Sequence, residues 1–276
     1  MIILTLIQTS QNRQKELKRF IDSLNNQINI QFDTIQLIFI DQENNKDVFS
    51  SLNPNIDFTY IAYKHCSLSH ARNLGLKYVK GKYIGFPDDD CWYEANTLSM
   101  VLHHLQINKY NGVTGKGCNE YGELTSIFPQ KSSKLTLTKR CAAISYTLFF
   151  EYTPNITFDE NIGVGSPYNL GAGEETDYLL TLMEKYNYRV FYDSNLIIHH
   201  PKSKDSEFTK IYSYARGAGY ILKKHHFSLL YKFINFIRPL SGCIIYSILL
   251  KKNRAKKSYY IFKGKIEGYT FKIQNQ

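Results

Sequence analysis

"SLSHARNLGLKYVKGKYIGFPDDDCWYEANTL", residues 67–98, runs a strand-like apolar segment straight into three consecutive aspartates, Asp88, Asp89 and Asp90. Carboxylates that close repel one another, so the run needs either water around a turn or a cation among its oxygens. A Pro-Asp turn after Phe86 meets the first need. A hard divalent cation, Mg2+ or Mn2+, meets the second, since such ions take one or two carboxylates, several waters and substrate phosphate oxygens. In extended backbone Asp88 and Asp90 point to one side and Asp89 to the other. A D-x-D of this kind needs a phosphate-bearing partner to complete the metal's shell, which points to a nucleotide substrate.

The flanking sequence sets the fold class. Apolar "IILTLI" is followed by "NRQKELKRFIDSLNNQI", in which Leu17, Phe20, Ile21 and Leu24 recur at helical spacing. Next come strand "IQLIFI" ending at Asp41, strand "FTYIAY", a helix from about Ser69 to Val79, and strand "KYIGF", which delivers the aspartates. The helix "EANTLSMVLHHLQ" follows. Strands alternating with helices predict an α/β fold, a Rossmann-like, mostly parallel sheet flanked by helices. Ligands of such sheets sit beyond the carboxyl ends of the strands, where Asp41 and Asp88–Asp90 both fall.

At 276 residues and 43% hydrophobic content, the chain buries a sizeable core as one large domain or as a domain with an appendage. Its five cysteines are scattered and form no C-x-x-C pair. That excludes a disulfide framework and a zinc site, and predicts a reducing compartment. The opening "MIILTLI" lacks a basic n-region, is too short for a secretory apolar segment, and reads as a buried strand.

Net charge is +10, unevenly spread. After residue 200 there are sixteen Lys or Arg against Asp205, Glu207 and Glu267, while the first 200 residues are slightly acidic. A boundary near residue 202 therefore divides a body, 1–202, from a basic amphipathic helical region, 203–276. Its longest charge-free piece, "PLSGCIIYSILL", is too short to span a bilayer. Basic, aromatic and aliphatic residues interleave there, as they do in helices that lie on anionic membranes. Nucleic-acid binding also uses basic and aromatic residues; the apolar content of 227–250 favours lipid, or packing over the body. His225 and His226, in this region, are expected to be solvated or to face a membrane.

"GAGEETDY", residues 171–178, is a second candidate centre. Acids in a first helical turn complement the helix dipole. Spacing separates them further: Glu175, Leu179 and Leu182 share one stripe, which places Glu175 on the inward face. Asp177, Thr181 and Glu184 form a polar stripe expected to face solvent. Glu174 is expected near the surface at the helix start. In "NLIIHHP" the pair His199 and His200 reads either as a packed strand end or as a metal site. Trp92, the lone tryptophan, either lines a sugar or acceptor pocket with Tyr93 or packs in the core.

Taken together, "TSQNR" after the first strand, "FIDQ" after the second, the 67–98 stretch and "GAGEETDYLLTLMEKYNYRVFYDSNLIIHHP" resemble the family 2 glycosyltransferases in order and spacing across most of residues 1–200. The resemblance implies the GT-A fold and inverting transfer of a sugar from a nucleotide-diphosphate donor, a UDP-sugar foremost, with Mg2+ or Mn2+. By position it implies Asp41 at the base, Asp89 at the ribose, and Asp88 and Asp90 at the metal–diphosphate unit, with Asp90 the direct ligand. It puts Thr9 and Ser10 in the nucleotide pocket, with Arg13, Arg72 and Glu174 among the substrate-facing groups. His200 is implied near the diphosphate or metal, and Glu175 as the catalytic base. Two departures are visible: the family's Pro-Thr-aromatic-Asn-Arg stands here as Thr9 to Arg13, and its usual Asp base is a glutamate.

The expected activity is metal-dependent sugar transfer to a glycan or lipid-linked acceptor in cell-surface polysaccharide assembly. It is expected in the cytoplasm at the inner face of the plasma membrane, without nucleic acid as a partner. A metal-dependent nuclease or nucleic-acid-binding protein would also use the aspartates and the basic tail. A membrane-binding scaffold would leave the acidic positions without a task. A sugar-nucleotide pyrophosphorylase would carry a glycine-rich loop where "LIQTSQNR" has no glycine.

Overall fold

A computed structural model describes residues 1–136, 144–202 and 207–273. Strands β1 (Leu4–Ser10) and β2 (Ile35–Asp41) are almost wholly buried and pair in parallel, Leu4 opposite Ile35 through Ser10 opposite Asp41. Their continuous apolar character follows from having both faces covered. One face, with Leu4, Leu6, Leu37 and Phe39, packs on α1 (Gln14–Asn25), which buries Leu17, Phe20, Ile21 and Leu24. Each of those side chains contributes roughly 1.5–3 kcal/mol by leaving water. The other face, with Ile7, Ile38 and Ile40, meets α2 (Leu68–Leu76), whose start is capped by the Ser67 hydroxyl accepting from the His70 amide at 3.3 Å.

Strands β3 (Asp57–Ala62) and β4 (Tyr83–Gly85) extend this parallel half on either side. Beyond β4 the sheet turns mixed. It includes β5 (Trp92–Tyr93), β6 (Gly112–Cys118), β7 (Ser133–Lys134), β8 (Leu148–Glu151) and β9 (Val190–His199), giving the order β3-β2-β1-β4-β8-β6-β9-β5 with β7 on β9. Between β5 and β6, α3 (Thr97–Leu102) continues as a π-helical turn, His103–Ile107. Strand β6 escapes period-two reading because Gly112, Gly115 and Gly117 interrupt it. They are there for closeness: a methyl at Gly115 would strike the Leu196 carbonyl, and one at Gly117 would strike Thr125 and Tyr146.

Helix α4 (Glu174–Tyr186) corrects the expected polar stripe. Asp177 is 3% exposed, and Glu184 is partly covered. The covering element is α5 (Phe208–Lys224), with His225 just beyond it. His225 is buried too, not solvated: Nε2 meets Asp177 Oδ1 and Nδ1 meets Glu184 Oε2, each at 2.8 Å. Lys224 Nζ bridges Asp177 and Asp159 at 3.0 and 2.7 Å. Burial alone would lower the imidazole's pKa, but bonds to two carboxylates hold it above its ordinary value.

Helix α5 packs on the body through these contacts, and α7 (Lys252–Thr270) packs along α5 through Gly219, Gly264 and Gly268, where any side chain would collide with the facing backbone. Helix α6 (Leu229–Ile248) rests on α7 and buries only Pro239. No helix among the described residues is long and apolar enough to cross a membrane. Cys66, Cys91, Cys118 and Cys243 are free thiols; Cys141 and Asp205 lie outside the described residues.

Candidate active site

Asp88–Asp90 lie in a crossing between two strands. Strand β4 stops at Gly85, and the chain then crosses β8, β6 and β9 to enter β5, where Trp92 pairs with His199. That pairing brings His200 to the aspartates: Nε2 lies 2.8 Å from Asp90 Oδ1 and 3.7 Å from Asp88 Oδ2. Asp88, Asp90 and His200 each offer one ligand atom, all within 4.8 Å of one another. The imidazole is held in place for this. Tyr146 stacks on it with centroids 4.4 Å apart, and Nδ1 lies 2.7 Å from the Pro201 carbonyl. With Nδ1 donating to that carbonyl, Nε2 faces the carboxylates: protonated it donates to Asp90, and without its proton it is the nitrogen that would ligate a metal.

Each aspartate has a second partner. Asp88 Oδ1 accepts from Ser145 Oγ at 2.9 Å and from Arg72 at 3.2 Å. Asp90 Oδ2 pairs with Arg13, and Asp89 turns the other way to accept from Ser10 Oγ at 2.7 Å and Arg13 at 3.2 Å. Burial pushes Asp89 up to about 6 against the pull of Ser10 and Arg13. Asp90, despite its burial, is held below the ordinary carboxylate value by His200 and Arg13.

Arg72, 2% exposed, ties the two acidic centres together. It pairs with Asp88 and, at 3.4 Å, with Glu174 Oε1. This corrects the surface position expected for Glu174, which is 5% exposed because α2 supplies a cation to neutralise it. Its other oxygen, Oε2, is buried with no hydrogen-bond partner among the described residues. Glu175, expected on the inward face, is only partly covered, whereas Glu174 and Asp177 are buried; protein atoms still crowd its carboxyl. That burial, with the nearby Glu174 charge, pushes its carboxyl up to about 8, while Arg72 pulls the other way.

A cleft of about 380 Å³ adjoins the aspartates, lined by Thr9, Ser10, Arg13 and Asp89 together with Gln42, Cys66 and Val164. Gln42 Nε2 donates to Thr9 Oγ1 at 2.9 Å, and its Oε1 accepts from the Cys66 amide at 2.8 Å. Asp41 itself is 1% exposed and not on the cleft lining. Its carboxylate takes four bonds, from the Glu43 and Asn45 amides, the Asn45 side chain and the Tyr60 hydroxyl, and so anchors the loop after β2. Trp92 has both faces occupied, by the Arg19 guanidinium 3.7 Å from the ring and by His199 stacked at 5.0 Å. Ser145, Tyr146 and Gln42 were not singled out from sequence. Gln42 was within reach of the strand-end argument that found Asp41, whereas Ser145 and Tyr146 follow no periodic signal.

The model of glycosyl transferase family 2 matches residues 5–169. Among curated proteins, the chain is 26% identical over 245 residues to the "Minor teichoic acid biosynthesis protein GgaB" of Bacillus subtilis (strain 168), covering 80% of this chain and 27% of that protein. It is 28% identical over 138 residues to the "UDP-Glc:alpha-D-GlcNAc-diphosphoundecaprenol beta-1,3-glucosyltransferase WfaP" of Escherichia coli, covering 46% and 54%. The chain thus spans about a quarter to about half the length of these relatives. Among solved structures, the mannosyltransferase PcManGT from Pyrobaculum calidifontis, in complex with GDP-Man and Mn2+, superimposes with a TM-score of 0.65 at 11% identity, covering 97% of this chain and 87% of that one. At that identity the likeness is one of fold, GT-A.

Proposed function

The chain belongs to glycosyl transferase family 2, and from that premise we propose that it moves a sugar from a nucleotide-diphosphate donor to a hydroxyl acceptor with inversion. The observation that carries the reading is the convergence of Asp88, Asp90 and His200, joined through Arg72 to Glu174 at the start of α4.

The Asp88 and Asp90 carboxylates and the His200 imidazole would hold Mn2+ or Mg2+, ions that complete their shells with water and substrate phosphate oxygens. Bound there, the ion supplies charge neutralisation for a departing nucleoside diphosphate. PcManGT, of the same fold, is described with GDP-Man and Mn2+. Thr9, Ser10, Gln42 and Arg13 line the space for the nucleoside, with Asp89 at its edge. Arg72 is engaged with Asp88 and Glu174, so it positions both and adds positive charge where the diphosphate lies.

Glu175 acts as the base. Acceptor hydroxyls are weak nucleophiles, and a carboxylate within hydrogen-bond reach takes the proton as attack proceeds. A carboxyl with a pKa near 8 is a stronger base than an ordinary one once ionised. Glu174 is buried and paired through one oxygen with Arg72, and in this reading that pairing leaves Glu175 as the base. One displacement then inverts the anomeric carbon, and no covalent enzyme intermediate forms.

The acceptor in this reading is a glycan or lipid-linked saccharide of cell-surface polysaccharide assembly. Support comes from the two relatives, whose names carry teichoic acid biosynthesis and a diphosphoundecaprenol-linked acceptor. In this reading the enzyme works at the inner face of the plasma membrane, with its C-terminal helices toward the lipid. Thermal stabilisation by a panel of UDP- and GDP-sugars, with and without Mn2+, tests the donor and metal together. Product anomeric configuration by NMR tests inversion. No metal-dependent shift with any nucleotide sugar would refute the assignment.

A further inference from the structure

We propose that the outer face of α6 is a docking surface for an anionic lipid bilayer. This rests on the membrane-side placement above and supplies its physical basis. Leu230, Phe233, Ile234, Ile237, Ile244 and Ile248 are 68, 61, 47, 37, 55 and 75% exposed. At about 100° per residue they fall within one third of the helix circumference, opposite Pro239, the residue α6 buries against its neighbours. The stripe is about 27 Å long. It is an apolar band, interrupted only at Ser241, turned away from the protein, of the kind soluble surfaces rarely leave open.

Its charge setting selects the occupant. Residues 208–266 contain thirteen Lys or Arg and no Asp or Glu. Arg238 flanks the stripe and is exposed, and Lys251, Lys252 and Arg254 are exposed where α6 gives way to α7. A second copy of this chain seated on α6 would bring that positive field against itself. An anionic headgroup layer meets it with opposite charge while its hydrocarbon boundary receives the band. A cleft of about 760 Å³ between α6 and α7, lined by Tyr231, Arg238, Pro239 and Ile261 among others, adds room for a lipid chain beside a cation. The expected pose is helix-parallel and interfacial, consistent with helices that do not span.

The test is co-flotation of the full chain with vesicles of phosphatidylglycerol and phosphatidylcholine, against pure phosphatidylcholine. Wild type should float with the anionic vesicles and at least about tenfold less with the neutral ones. Ile237→Asp/Ile244→Asp and, separately, Lys251→Glu/Lys252→Glu should each lose most of that binding. Ile248→Asp, at the last residue of α6, reads the same face should the double variant fold poorly. Stabilisation by nucleotide and Mn2+ should be unchanged in all three, so a failure of docking stays distinct from a failure of the transferase reading. Equal flotation of wild type and variants would overturn the proposal. So would no preference for anionic vesicles, or a dimer in sedimentation that Ile237→Asp/Ile244→Asp splits.

Discussion

Gly217 of α5 lies flat against the carbonyl of Ala172, so close that a methyl group at 217 would overlap the oxygen. The loop that leads into Glu174 and Glu175 is therefore shaped by a helix more than forty residues further along the chain. Gly217→Ala should lower stability by about 1–3 kcal/mol, the usual cost of overpacking. It should also lower turnover by displacing the start of α4. Chemical denaturation and a turnover assay on the same preparation check both. Unchanged turnover in a destabilised variant would mean that the loop is held by its other contacts.

The metal reading makes Asp90 the sensitive position. Asp90→Asn removes a charged ligand and leaves His200 and Arg13 without their shared partner. Mn2+-supported binding of a nucleoside diphosphate should weaken about tenfold or more, by calorimetry, with the fold intact. Normal Mn2+ titration in this variant would remove Asp90 from the centre.

The two glutamates separate by role. Glu175→Gln should cost about 10²–10⁴-fold in turnover, the worth of a positioned base, with donor affinity nearly unchanged. Glu174→Gln keeps an acceptor for Arg72 and should lose far less turnover, although it perturbs a buried ion pair. A severe loss confined to Glu174→Gln would move the base one residue earlier.

The base also predicts a pH profile. Burial and the neighbouring Glu174 charge raise Glu175 to about 8, and only the ionised carboxylate accepts a proton. For the free enzyme, kcat/KM should rise with pH and level off above about 8. Removing the Glu174 charge should shift the midpoint down. A profile flat from pH 6 to 9 would refute the assignment.

His225 predicts a stability profile of the opposite sense. Its folded pKa is raised above the ordinary 6.5 by Asp177 and Glu184, against the effect of burial. The stabilisation from its charge is complete below 6.5 and disappears as pH rises through the folded value. His225→Gln should flatten that dependence. At low pH it should cost about 3 kcal/mol, the lower end for a broken buried pair, because Lys224 still neutralises Asp177. Urea unfolding across pH measures it.

Much of this architecture was legible from local pattern. The unbroken apolar runs of β1 and β2 and the four-residue stripe of α1 identify their elements without knowledge of neighbours. So does the sidedness of Asp88, Asp89 and Asp90, which the fold realises by sending Asp89 to Ser10 and the other two to His200. The errors arose where a neighbour arrives from far along the chain. Periodicity assigned Asp177 and Glu184 to solvent because it carries no record of Lys224 and His225 coming to neutralise them. Glu174 was misjudged for the same reason, its partner Arg72 lying 102 residues away. The glycines of β6 hide a strand because closeness to Leu196, not propensity, selects them.

The crossing from β4 to β5 has a consequence for how this segment tolerates change. In a flat sheet, four strand spacings of about 4.8 Å would separate its ends laterally by about 19 Å, and the register sets Trp92 a further five residues, roughly 16 Å, along the strands; curling shortens that span. From Gly85 to Trp92 an extended chain reaches about 25 Å, part of which is taken up by the turn that the Cys91 amide closes on the Asp88 carbonyl. Little slack is left. Losing a single residue between these anchors would pull Trp92 off His199 or Gly85 off Leu6, whichever residue were lost. Variation within 86–91 is therefore constrained first against shortening and only then in chemistry, so deletions should be excluded here even where substitutions are accepted.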